Sequence, residues 1–171
     1  QFLLGAYTYL LKYHLDHYTS LKNTGKMREQ IYQGRNGQWF LTIKEKKRIL
    51  LNNIYGVDID QQAVEVTKLS LLLKVLEGEN RDVFEAQQKL WRERALPDLG
   101  TNIKCGNSLI GPDYYQQQQT TLPENEEEMF RVNVFDWEKE FADIMSKGGF
   151  DAVIGNPPYL RIQGLQEYCG N

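Results

Sequence analysis

Three short apolar runs in this chain each give way to a polar residue. Ile54–Val57 leads to Asp58, the run from Thr101 to Gly106 leads to Asn107, and Phe150–Ile154, closed by Gly155, leads to Asn156. Runs of this length, bounded by turn residues, read as buried strands. The segments between them have helical spacing. Asp60 can cap a helix from about Gln61 to Glu77 that stops at Gly78. Its apolar residues (Ala63, Val66, Leu69, Leu71, Leu72, Leu73, Val75, Leu76) nearly encircle it, which predicts deep packing. A helix over 81–95 carries Phe84, Leu90 and Trp91 and is ended by Pro97. Asp136 caps another, with Trp137, Phe141 and Ile144 on one face and Gly148-Gly149 at its close. The order strand, helix, helix, strand, loop, helix, strand predicts an α/β fold with a mostly parallel sheet. In such a sheet Asp58, Asn107 and Asn156 lie along one edge, where open α/β sheets bind ligands.

Other segments are less decisive. Residues 2–19 have helical spacing at Leu3, Leu4, Tyr7, Leu10, Leu11 and His14/Leu15. His14 and His17 lie one turn apart, but no acid or cysteine stands nearby at ligand spacing, so a structural or solvated role is expected rather than a metal site. Residues 31–43 read as a hairpin, with Asn36-Gly37 as a type I′ turn signal. Lys44 to Arg48 is basic and could touch phosphate, but reads first as the solvated face of a short helix ending near Asn52 or Asn53. Residues 112–131, with Gln116–Gln119 and Glu124–Glu128, lose periodicity and read as a polar, mobile loop.

Composition narrows the function classes. A chain of 171 residues, 41% hydrophobic and 25% charged, is at most one ordinary domain and can bury a core. A net charge of −3 argues against holding nucleic acid by bulk electrostatics, though a catalytic lobe whose grip lies elsewhere remains consistent with it. Two cysteines, Cys105 and Cys169, make no disulfide framework, which fits a reducing, cytoplasmic setting. The longest apolar stretch, Leu69 to Leu73, stops at Lys74 and is too short to span a bilayer.

The loop Asn156-Pro157-Pro158-Tyr159 carries the chemistry. Prolyl nitrogens have no proton to donate, so this loop presents acceptors: the Asn156 side-chain carbonyl and the Pro157 backbone carbonyl. An exocyclic amine, such as the 6-amino group of adenine, offers two N–H donors to match them. Held that way, its lone pair is free to meet an incoming methyl group. Tyr159 offers a flat face for an unstacked base. At the first strand end, Asp58 can take both hydroxyls of a ribose, and Ile59 can lie against a purine.

These residues resemble the S-adenosylmethionine-dependent amino-methyltransferases of DNA. The likeness is greatest to the adenine-N6 enzymes, and among them to the large single-chain methylases of restriction–modification and phage-exclusion systems. Asn52 through Asp60 looks like the second cofactor motif, Cys105-Gly106-Asn107-Ser108-Leu109 like the third, and Phe150 through Tyr159 like the fourth, catalytic motif. The resemblance covers roughly residues 1–16 and 41–165 and implies an incomplete Rossmann-like class I methyltransferase sheet with flanking helices. It implies that Asp58 binds the cofactor ribose and Ile59 its adenine, and that Asn107 bonds the adenine amino group with Ser108 beside it. Many relatives carry aspartate where Asn107 stands. Asn156, Pro157, Pro158 and Tyr159 would hold the flipped target base. The implied cofactor is S-adenosylmethionine, and no metal is needed.

The glycine-rich first cofactor motif of that family would stand just upstream of Phe2-Leu3-Leu4 and is not in this sequence; nor is a target-recognition domain. Residues 1–171 are therefore expected to be part of a catalytic domain, excised from a longer protein of the gamma arrangement. Double-stranded DNA would be held through a recognition domain beyond Asn171, and the isolated chain would be inactive. With the first strand missing, the strands at 54–58 and 150–155 would flank an empty slot, filled by another segment such as the hairpin, by a neighbouring chain, or by a rearranged sheet. Two rival readings stay open: methylation of a glutamine amide or of guanine N2 in RNA, which makes the same demand on the loop, and a non-catalytic structural lobe.

Overall fold

The computed structural model describes residues 1–21, 29–34, 36–77, 96–114 and 132–156. The chain opens with helix α1 (Phe2–Ser20), followed by a hairpin of β1 (Ile31–Gln33) and β2 (Trp39–Leu41) and by helix α2 (Ile43–Asn53). Strand β3 (Gly56–Asp58) leads into helix α3 (Gln61–Leu76), and β4 (Ile103–Cys105) pairs parallel with β3, Gly56 opposite Ile103 and Asp58 opposite Cys105. Two single-turn helices follow, α4 (Trp137–Glu140) and α5 (Ala142–Met145). The architecture is mixed α/β. The helix expected over 81–95 and most of the polar loop at 112–131 lie outside the described residues.

Local chemistry explains where the helices begin. The Thr42 hydroxyl accepts from the Glu45 amide and starts α2, and Asp60 accepts from the Gln62 amide and starts α3. The three long helices share one core with the parallel pair: Tyr7 of α1, Ile49 and Leu50 of α2, and Val64, Leu71 and Val75 of α3 are buried together with Ile103. The Tyr7 hydroxyl donates to the Lys46 carbonyl at 2.9 Å, and burial pushes its phenol well above the ordinary value. Gly56 lets α1 come close, since a Cβ there would stand 2.5 Å from Leu3 Cδ1.

Asn102 fastens α2 to the sheet. Buried ahead of β4, its amide nitrogen donates to the carbonyls of Leu51 (2.8 Å) and Ile54 (3.0 Å), groups that the end of α2 leaves without helical partners. Asn102→Ala strands the Ile54 carbonyl and leaves the Leu51 carbonyl only the Tyr55 hydroxyl (3.0 Å), and chemical denaturation of the full-length protein is expected to show a loss of about 1–3 kcal/mol.

Several expectations from the sequence need correction. The hairpin forms, but Asn36 does not take the positive φ of a type I′ turn. Gly37 alone does (φ 78°), its amide donating to the Gly34 carbonyl at 3.0 Å, as in the longer hairpin loops that end on a left-handed glycine. The hairpin strands pair only with each other among the described residues, so they do not fill a slot beside β3. Helix α3 is not packed on all sides: Val64, Leu71 and Val75 face the core, while Val66, Leu69 and Leu73 are mostly exposed. The charged segment of α2 is not all solvated either. Glu45 and Lys46 are buried. Glu45 accepts from Arg48 and from the Tyr18 hydroxyl (2.6 Å), and Lys46 donates to the Glu77 carbonyl (2.8 Å). Burial works to raise the Glu45 carboxyl, but those two partners outweigh it and hold the group below its ordinary value.

The largest correction concerns Phe150–Ile154. This run forms no strand and joins no sheet among the described residues, and Val153 is 81% exposed. An apolar run becomes a buried strand only where a neighbour supplies ladder partners, and here none is described beside it. The helix expected after Asp136 is also broken. It breaks at Phe141 (φ −126°, ψ 43°), whose ring packs against Tyr55, Phe135, Trp137 and Phe150. Gly148 and Gly149, both at positive φ, close α5 as the sequence suggests.

Candidate functional site

The parallel register decides which candidate residues meet. Because Asp58 pairs with Cys105 and the Gly106 amide donates to the Asp58 carbonyl at 2.9 Å, the ends of β3 and β4 lie side by side. Asp58-Ile59 and Asn107-Ser108 therefore leave the sheet at the same end, as expected for a ligand edge. Asn156, exposed at the end of the run that starts at Phe150, is not placed by any strand pairing among the described residues. Pro157, Pro158 and Tyr159 lie outside the described residues.

Each turn is fixed by its own backbone. Asp58 Oδ1 accepts from the Asp60 amide at 2.9 Å, while Oδ2 takes no hydrogen bond among the described residues and stands open to solvent. Ile59, 55% exposed, presents apolar surface next to it. Asn107 Oδ1 accepts from the Leu109 amide at 3.1 Å, an Asx turn that leaves its Nδ2 and one further lone pair of Oδ1 without partners among the described residues. These open groups are one carboxylate acceptor, one amide donor and acceptor, and the apolar surface of Ile59. No group of three or more metal-ligating side chains occurs among the described residues.

Three residues that sequence reasoning did not single out brace this edge. Cys105, half-buried, places Sγ 3.5 Å from the Ile59 carbonyl. Asn133, left-handed at φ 45°, donates from Nδ2 to that sulfur at 3.5 Å and accepts at its carbonyl from the Asn107 amide at 2.6 Å. Asn107 and Val134 thereby form a parallel bridge that widens the sheet by one step. Trp137 donates from its indole N–H to the Ser108 carbonyl at 3.1 Å. A lone asparagine between two apolar residues, Val132 and Val134, was the one hint of a left-handed position. Gly106 permits the close approach of Phe135, since a Cβ there would meet the ring at 2.5 Å.

Residues 52–170 match the family model of the Eco57I restriction-modification methylase. The chain belongs to that family. The matched span takes in Asp58, Asn107 and Asn156 together, so one methylase domain joins the strand-end turns and the Asn-Pro-Pro-Tyr loop. The chain is 30% identical over 166 residues, 97% of its length, to the type II restriction enzyme and methyltransferase RM.Eco57I of Escherichia coli. It is 24% identical over 146 residues, 81% of its length, to PglX of Streptomyces coelicolor, named an adenine-specific methyltransferase. It spans only 14% of the first of these methylases and 11% of the second. No solved structure matches it. No described helix is long and apolar enough to cross a membrane.

Proposed function

We propose that this chain is part of the catalytic domain of a restriction–modification or phage-defence methylase that transfers a methyl group from S-adenosylmethionine to the N6 amine of adenine in double-stranded DNA. The observation that carries the proposal is the paired exit of Asp58-Ile59 and Asn107-Ser108 from adjacent parallel strands, in a methylase family whose match extends through Asn156.

The division of labour follows from the side chains. Asp58 Oδ2 would accept from a ribose hydroxyl, Ile59 would cover one face of the cofactor adenine, and Asn107 would bond its polar edge with Ser108 alongside. When bound, S-adenosylmethionine would supply an electrophilic methyl group on a sulfonium. The Asn156 side-chain carbonyl and the Pro157 carbonyl would accept hydrogen bonds from the two amine N–H groups of the target base and keep its nitrogen lone pair free for the methyl group. Tyr159 stacks on the base once it has left the duplex. Positioning and preorganised acceptors provide most of the rate, and the proton released from the amine passes to solvent. The DNA grip lies in a recognition domain outside this chain, in keeping with its net charge of −3.

The test is to give the full-length protein methyl-labelled S-adenosylmethionine with unmethylated duplex DNA, RNA, or a glutamine-bearing protein in turn. Label in DNA supports the proposal. Label only in RNA or protein moves the reaction to another acceptor, and label in none leaves the structural-lobe reading.

A further inference from the structure

A cluster of aromatic rings lies between the cofactor-side turn and the run leading to Asn156. Trp137 packs edge-on against Phe135 (5.0 Å between centroids) and Phe150 (6.0 Å), while Phe141 and Tyr55 meet Phe150 at 5.5 and 5.7 Å. Phe150 is the first residue of the run that ends at Asn156, and among the described residues no strand pairing holds that run. These rings are its described anchor. Trp137 also reaches the other side: its indole N–H donates to the Ser108 carbonyl, within the Asn107–Leu109 turn.

We propose that Trp137 is a positioning residue that sets the spacing between the cofactor-side turn and the target-base run, through its N–H to Ser108 on one side and its ring against Phe150 on the other. The two contacts use different parts of one side chain, so they can be cut separately. Trp137→Phe keeps an aromatic ring in the cluster and removes only the donor. Phe150→Leu keeps an apolar side chain and the Trp137 donor but removes the ring contacts of Phe150 with Trp137, Tyr55 and Phe141. The proposal rests on the methyl-transfer reading above for its kinetic consequences, but not for its structural one.

In the full-length protein, Trp137→Phe is expected to raise the S-adenosylmethionine dissociation constant about fivefold, the worth of one neutral hydrogen bond, with kcat little changed. Phe150→Leu is expected to lower kcat at least about tenfold by displacing the run, with cofactor affinity unchanged. Hydrogen exchange at the Ser108–Ile110 amides should quicken in Trp137→Phe without any cofactor added, and not in Phe150→Leu. Unchanged exchange in Trp137→Phe, or both variants altering affinity and kcat together in step with a lowered melting temperature, would overturn the positioning role. A wild-type protein that binds no cofactor, while the exchange difference persists, overturns the methyl-transfer reading and leaves Trp137 as the brace of that turn.

Discussion

Asn156→Ala in the full-length protein is expected to abolish measurable methyl transfer while leaving S-adenosylmethionine binding intact. The amine then loses one of two orienting acceptors. Removing a preorganised group of this kind costs on the order of 3 kcal/mol of transition-state stabilisation, a fall in kcat of roughly a hundredfold or more. The separation of rate from cofactor affinity follows from the proposed roles: Asn156 would meet the target base, whereas Asp58 and Asn107, at the ends of the β3–β4 pair, would meet the cofactor. Single-turnover kinetics alongside a cofactor titration checks both halves. Near-normal turnover would remove Asn156 from the mechanism.

Asp58→Ala is expected to act on the other side. A charge-assisted bond to a ribose hydroxyl contributes about 1.5–3 kcal/mol, so the dissociation constant should rise roughly tenfold to a hundredfold by titration calorimetry. Asp58 also accepts from the Asp60 amide, and alanine removes that turn bond as well. Asp58→Asn separates the two effects, since it keeps an acceptor for Asp60 and removes the charge. Weakened binding in both variants assigns the carboxylate to the cofactor. Normal affinity in Asp58→Asn, with a loss of stability in Asp58→Ala, would make Asp58 a turn residue only.

Two helix starts were legible in the sequence because a cap is a local event: Asp60 and Asp136 each accept from an amide two or three residues on, whereas Thr42, the cap of α2, read as part of the hairpin. The turns that follow β3 and β4 were legible for a similar reason, as polar residues placed where apolar runs stop. What the sequence did not reveal depends on distant partners. Glu45 and Lys46 read as solvated charges, yet Tyr18 and the Glu77 carbonyl, 27 and 31 residues away, allow their burial. Apolar residues all round α3 announced burial on every side, but the sequence carries no statement of what lies against Val66, Leu69 or Leu73. Phe150–Ile154 has the composition of a buried strand without a described neighbour to pair with. Cys105, Asn133 and Trp137 brace the candidate site across 46, 28 and 29 residues of chain, contacts with no local signature.

The family membership makes DNA methylation the coarse expectation, and the choice of atom is the central claim. Duplex DNA methylated by the full-length protein with labelled S-adenosylmethionine should be digested to nucleosides and resolved by mass spectrometry. The account predicts that the label sits in N6-methyldeoxyadenosine and disappears with Asn156→Ala. Label in N4-methyldeoxycytidine or 5-methyldeoxycytidine, or label in N6-methyldeoxyadenosine that survives Asn156→Ala, would contradict it.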